Sequence, residues 1–267
     1  MKKELTKNQV FIIKAIFLLL ICVVITGMLV FSRQRSNENK EAAETKQAVT
    51  YEKGKLSIFE DKYTLFPDTD KIGVHENYMF VTEPRKQKTT VYDKKLQKKV
   101  TILDELALDY DGTNVLYNKN GIDTYFNDVN LGVRCISGHI KSDTEILCIL
   151  PKNDDNLDNK LVSINPQDLT QTDIYASNYT LYYVSFLKNT LYIGGFSLQT
   201  KKNYLLVDGN AIEAQDRVNV VFEKGRDIYL GSFQNDLNEH TENEYKVSKA
   251  GRDTTIELIE KGKIVFQ

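Results

Sequence analysis

Two segments 37 residues apart, Thr190–Phe196 (TLYIGGF) and Asp227–Phe233 (DIYLGSF), match in their apolar, aromatic and glycine positions. A repeat at fixed spacing constrains a chain more than any single motif, because each unit buries its apolar face only against its neighbours. Weaker copies at Met79–Val81 (MFV), Val115–Tyr117 (VLY), Ile146–Cys148 (ILC) and Ile264–Phe266 (IVF) extend the pattern. The steps along the chain are 36, 31, 45, 37 and 36 residues. Polar turns separate short runs after several copies, as in Thr90–Val100, Leu161–Asp168, Tyr204–Asn210 and Tyr245–Gly251, where Asp, Asn, Pro and Gly fall at the reversals. Further short runs, such as Leu181–Phe186 and Val218–Phe222, precede the copies. That gives about four strands per unit, the composition of a propeller blade.

Beyond residue 50 no long segment has helical periodicity, so the fold expected is all-β. The ends of the chain are complementary. Ile264–Phe266 stops without an outer hairpin, whereas Leu56–Phe66 is a hairpin with no inner strands before it. Joining them predicts a six-bladed β-propeller closed by strands from both termini, with no open sheet edge. The same strand spacing also suits a β-sandwich or an irregular barrel.

In blade length, and in the strand-turn-strand unit VYDKKLQKKV (Val91–Val100), residues 51–267 resemble bacterial membrane-anchored β-propeller proteins of the quinoprotein-like and YVTN-like kinds. The resemblance implies the architecture alone. The chain has no Trp and no Asp-box, and its Gly194–Gly195 pair is not repeated from blade to blade, so those families' cofactors and substrates do not carry over.

Ahead of the repeats, Phe11–Phe31 is a 21-residue apolar run containing one charge, Lys14. At about 1.5 Å per residue it spans a hydrocarbon core of about 30 Å, with Lys14 able to snorkel to the near interface. A cleaved signal peptide is the rival reading, but Met28, Leu29, Val30 and Phe31 supply no small-x-small cleavage site, and bulky Ile21 before Cys22 makes a poor lipobox. The organisation expected is a cytoplasmic tail over 1–10, a transmembrane helix over 11–31, a polar stalk over 32–50 and the propeller-like domain over 51–267. Lys2, Lys3 and Lys7 are balanced by Arg33, Arg35 and Lys40. Orientation therefore rests on the short tail staying cytoplasmic while the long C-terminal domain crosses.

Outside Met1–Phe31 the chain carries 31 basic and 36 acidic residues, which gives no phosphate-tracking surface and excludes nucleic acid as a partner. Cys22 lies in the anchor. Cys135 and Cys148 sit in apolar runs and are expected as buried free thiols rather than a bridge.

No motif commits the chain to catalysis. His75, His139 and His240 fall in separate repeats without metal-ligand spacing and are expected to be structural. Ser137 and His139 pair a nucleophile type with a base type but lack an orienting acid. Pro151–Lys160 bunches oxygen ligands without the glycine and distal glutamate of a calcium loop. Asp109–Asn114 reads as a turn between blades, and Asn235–Glu244 as a long blade loop. Gly194, Gly195 and Gly231 read as close packing near the axis. The expectation is a non-enzymatic extracytoplasmic module with no catalytic, cofactor-binding or metal residues and no cofactor. It would be anchored in the cell membrane and bind a protein partner of the cell envelope. The alternative is a glycan- or small-ligand-binding or hydrolytic propeller whose site gathers single residues around the central channel. Asp, Glu, His or Arg converging on the axis would favour that alternative, and an axis lined by Val, Ile and Ser would count against it.

Overall fold

The computed structural model describes residues 49–65, 70–151, 159–176, 178–236, 239–250 and 253–266. These form six four-stranded antiparallel sheets arranged as a six-bladed propeller. The closing blade runs β24 (Ile264–Phe266), β1 (Val49–Glu52), β2 (Lys55–Ile58), β3 (Asp61–Thr64). Blade two is β4 (Lys71–His75), β5 (Tyr78–Glu83), β6 (Lys88–Asp93) and β7 (Lys98–Leu103). Blade three is β8 (Leu106–Tyr110), β9 (Val115–Lys119), β10 (Asp123–Phe126) and β11 (Val129–Asn130). Blade four is β12 (Ser137–Ser142), β13 (Glu145–Leu150), β14 (Lys160–Ile164) and β15 (Gln171–Ala176). Blade five is β16 (Tyr179–Leu187), β17 (Thr190–Ser197), β18 (Lys202–Val207) and β19 (Asn210–Ala214). Blade six is β20 (Val220–Lys224), β21 (Asp227–Asp236), β22 (Glu239–Ala250) and β23 (Asp253–Lys261).

Local chemistry sets the hairpins. At the β18–β19 reversal Asp208 and Gly209 both take positive φ, 48° and 85°, the geometry of a two-residue turn that glycine tolerates without cost. Val207 then pairs with Asn210. The apolar positions pack between successive blades. Leu116, Ile140, Ile146 and Val162 fill the space between blades three and four, and Leu147, Leu161, Ile193 and Leu206 that between blades four and five.

The ring closes as the ends of the sequence predict. Val49, Thr50 and Tyr51 of β1 pair with Phe266, Val265 and Ile264 of β24. The division is one strand from the C-terminus and three from the N-terminal side. The first strand starts at Val49, two residues inside the expected stalk, because alternating Val49 and Tyr51 are buried in the closing blade's core. Blade six latches this blade through buried carboxylates of β22. Glu242 Oε1 accepts the Gly54 N–H at 2.7 Å, and Glu244 accepts the Val265 N–H at 2.7 Å and Lys224 Nζ at 3.0 Å.

Four other expectations change. Cys135 and Cys148 form a disulfide that ties the linker before β12 to β13, since the linker folds back against the strand and brings the two Cα atoms to 5.4 Å. Asp109 belongs to β8, and the turn after it joins β8 to β9 inside blade three rather than linking blades. Asn235–Glu244 is largely a ladder, with Asn235 opposite His240 and Asp236 opposite Glu239. Backbone pairing needs no apolar side chains to continue. Gly194, Gly195 and Gly231 lie on second strands rather than at the axis. A Cβ at Gly194 would sit 2.9 Å from Tyr182 of β16 and 3.1 Å from Val218, so the crowding comes from the neighbouring first strand and from the segment leading into the next blade.

The expected tail, anchor and most of the stalk lie outside the described residues, as do residues 152–158 of the oxygen-rich run. Among the described residues no helix is long and apolar enough to cross a membrane.

Candidate functional site

Strands β4, β8, β12, β16 and β20 pack side by side in a closed ring, with β20 returning directly onto β4. The closing blade is set back from that ring, and its β24 lies against β22. Five blades thus line an axial cavity of about 420 Å³. Its walls include Lys71, Asp109, Ser137, His139, Tyr182, Tyr183, Ser185, Arg217 and Asn219, together with the apolar Ile72, Phe80, Val184, Val218 and Phe233. Gly73 permits this shape: a Cβ there would lie 2.0 Å from the Phe80 ring.

Asp109 is buried at 2% exposure, and three hydrogen-bond donors and a second imidazole meet its carboxylate. Oδ2 accepts from His75 Nδ1 at 2.8 Å and the Ile140 N–H at 2.7 Å, Oδ1 accepts the Tyr110 N–H at 2.9 Å, and His139 Nδ1 stands 3.0 Å from Oδ2 as an ion-pair contact. Burial pushes the Asp109 pKa up, but the attraction and hydrogen bonds of the two histidines outweigh it and hold the carboxyl well below the usual range. For His75, burial acts downward and the Asp109 hydrogen bond upward, and the net shift is upward.

His75, Asp109 and His139 hold their donor atoms within 4.8 Å of one another, close enough to test as a metal centre. The imidazoles are stacked, with centroids 4.6 Å apart and planes 16° from parallel. Imidazole lone pairs lie in the ring plane, so those of near-parallel rings do not converge on one ion. The carboxylate–nitrogen distances are hydrogen-bond lengths. The arrangement is one imidazole, His75, hydrogen-bonded to the carboxylate, with the His139 ring stacked on it and in ion-pair contact with the same oxygen.

At the other end of the inner strands stand two cations. Lys71 Nζ donates to the Ile136 carbonyl at 3.3 Å. Solvent reaches this side chain through the cavity, yet protein surrounds it, and burial together with nearby Arg217 lowers its pKa. The Arg217 guanidinium lies 4.5 Å above the Tyr182 ring. Neither cation enters an ion pair among the described residues. Burial raises the Tyr182 and Tyr183 hydroxyls to about 12, keeping both protonated.

The structure therefore supplies the acid that the sequence did not reveal beside Ser137 and His139, but not a serine triad. Ser137 Oγ accepts the Val184 N–H at 3.2 Å. His240 lies near the tip of the β21–β22 hairpin, away from this pairing. Linear spacing hid the cluster because His75, Asp109 and His139 come from the inner strands of three successive blades. A superposition of the repeats would have brought them into adjacent registers.

No family model and no curated protein matches the sequence. Among solved structures, the chain is similar to the β-propeller domain of Cps50 (Swd1) from Myceliophteria thermophila at 8% identity, covering 72% of this chain and 70% of that one with a TM-score of 0.45. A chain of a mitotic checkpoint complex matches at 13% identity over 82% and 73%, with a TM-score of 0.46. Xyloglucan PUL GH43B from Bacteroides ovatus matches at 15% identity over 71% and 40%, with a TM-score of 0.33. The fold assignment rests on the six sheets themselves.

Proposed function

We propose that this chain is a single-pass membrane protein whose propeller lies outside the cell membrane and acts as a binding module, with the axial cavity as its site, rather than as an enzyme. The observation that carries this reading is the convergence on the axis of Lys71, Asp109, His139 and Arg217 with Ser137, Tyr182 and Asn219, contributed by five blades. A scaffold that works through its rim has no need of such an axis. Ser137 and Asp109 spend their acceptor oxygens on protein donors, which supports binding over nucleophilic chemistry.

The apolar run at 11–31 supports a membrane anchor. The buried Cys135–Cys148 disulfide supports a propeller that folds in an oxidising compartment. A partner in the cell envelope remains compatible with this site, since exposed Val100 and Ile102 on β7 and Leu258 and Ile259 on β23 give the rim its own apolar positions.

Native mass spectrometry of the full chain, extracted from its membrane in detergent, tests the axial reading. The expected result is a small-molecule adduct that is lost when Ser137→Phe fills the cavity. Capture of the same protein partner by both forms, with no adduct on either, would favour the rim instead. Sidedness is read from cysteines introduced at exposed Leu96 and Leu198. An impermeant maleimide is expected to label them on intact cells, and labelling only after lysis would refute the outward placement.

A further inference from the structure

We infer that the axial cavity takes a small oxyanion, a molecule bearing a carboxylate or phosphate group, held between Lys71 and Arg217. This rests on the axial-binding reading and names the ligand class. The inference comes from an imbalance in the hydrogen bonding of the lining. Four of its neutral polar side chains use their acceptor atoms on backbone amides, Tyr183 Oη taking the Val221 N–H at 2.8 Å. Ser137 Oγ accepts from Val184 N at 3.2 Å, Tyr182 Oη from Val218 N at 3.1 Å and Asn219 Oδ1 from Phe233 N at 2.9 Å. The Ser and Tyr hydroxyl protons and the Asn amide protons remain as donors.

The cations add to that surplus. Lys71 gives one hydrogen bond to a carbonyl and has two further N–H groups. Arg217 rests on an aromatic face and keeps its planar fork of donors, a shape matched to carboxylate and phosphate.

The carboxylates in the lining are already engaged. Both Asp109 oxygens are hydrogen-bonded, to His75, Ile140 and Tyr110, and His139 is in ion-pair contact with one of them. Asp70 is buried and engaged, and its charge acts on Tyr51 and Lys86. Lys71 and Arg217 therefore face one cavity as like charges, an arrangement that an acceptor-rich anion between them relieves. The cavity volume, about 420 Å³, sets the size class at a small molecule rather than a polymer segment.

Calorimetric titration of the full chain in detergent micelles with citrate, inorganic phosphate and galacturonate, and with glucose as a neutral control, tests the inference. At least one anion is expected to bind with a Kd below about 1 mM, and the preferred one separates carboxylate from phosphate recognition. Lys71→Met and Arg217→Met are each expected to weaken binding by about tenfold or more, while Lys249→Met, on the outer surface, leaves it unchanged. Circular dichroism of each variant establishes that it is folded.

No binding of any anion up to about 10 mM, or binding indifferent to both substitutions, overturns the inference. Glucose binding that Ser137→Phe abolishes and the cation variants spare would overturn the anion class while leaving the axial site standing. An adduct on the native protein that survives Ser137→Phe would overturn the axial reading itself.

Discussion

The closing blade and the axial ring both bury polar groups, and they treat them in opposite ways. At the closure, Glu242 and Glu244 supply oxygens to the Gly54 and Val265 amides and to Lys224, so donors and acceptors there are matched across the joint. On the axis, Ser137, Tyr182 and Asn219 give their acceptors to backbone amides and keep their protons, beside two cations with no ion-pair partner among the described residues. A matched network holds strands together, and an unmatched one is held ready for something that is not protein. The set-back of the closing blade fits this division, since among the described residues the blade that seals the ring contributes nothing to the cavity wall.

The largest effect should come from the matched side. Glu244→Ala leaves a part-buried Val265 amide unbonded and strips Lys224 of its carboxylate partner, and a loss of about 3–5 kcal/mol is expected in denaturant unfolding. A loss below about 1 kcal/mol would mean that the latch is not what holds the ring closed.

Reduction of Cys135–Cys148, or the double substitution to serine, comes next. The bridge spans 13 residues, and its removal is expected to cost about 2–4 kcal/mol. Because the bridge anchors the linker that leads into β12, the same variant should also weaken axial binding. If binding were unchanged while stability fell, the ring and its linker would be independent.

The Asp109 cluster gives a third, pH-dependent effect. His75 has a raised pKa in the folded chain, so its contribution is fully present below its ordinary value of about 6.5 and is lost as pH rises through the raised one. Asp109 has a lowered pKa, so its contribution is present above about 3.9 and is lost as pH falls through the depressed value. These are two views of one bonded cluster, so stability should be greatest between about pH 4 and 6.5, and Asp109→Asn should flatten the profile. A profile unchanged in that variant would remove the cluster from the account.

The smallest stability effect belongs to the unmatched side. Lys71→Met combined with Arg217→Met removes a repulsion and no ion pair, so unfolding stability should change by less than about 0.5 kcal/mol or increase. A loss comparable to that of Glu244→Ala would make the two cations structural and erase the contrast.

How much of this the sequence carried depended on whether the signal was local. The blade period was visible in TLYIGGF and DIYLGSF, because strand alternation and turn residues act over a few positions. The closure by both termini was visible from the incomplete units at each end. The axial site was not, because its residues are scattered over the inner strands of four blades and the segment before β20, and its chemistry lies in which lone pairs are already used. Cys135 and Cys148 were hidden likewise: apolar neighbours suit a buried thiol and a bridge equally, and only the fold of the linker brings the two together. Asp109 looked like a turn residue because Asp and Gly cluster in Asp109–Asn114, whereas the turn begins after β8 ends.

The most direct test of the axial account is the titration of Lys71, followed by NMR of lysine side-chain carbons in the full chain, with the signal assigned from Lys71→Met. Burial and the neighbouring Arg217 should make Lys71 titrate below the ordinary lysine value in the free protein. Saturation with whichever of citrate, phosphate or galacturonate binds should move that titration upward, because an anion placed between the two cations favours the charged amine. A Lys71 titration that the bound anion leaves in place would contradict the account.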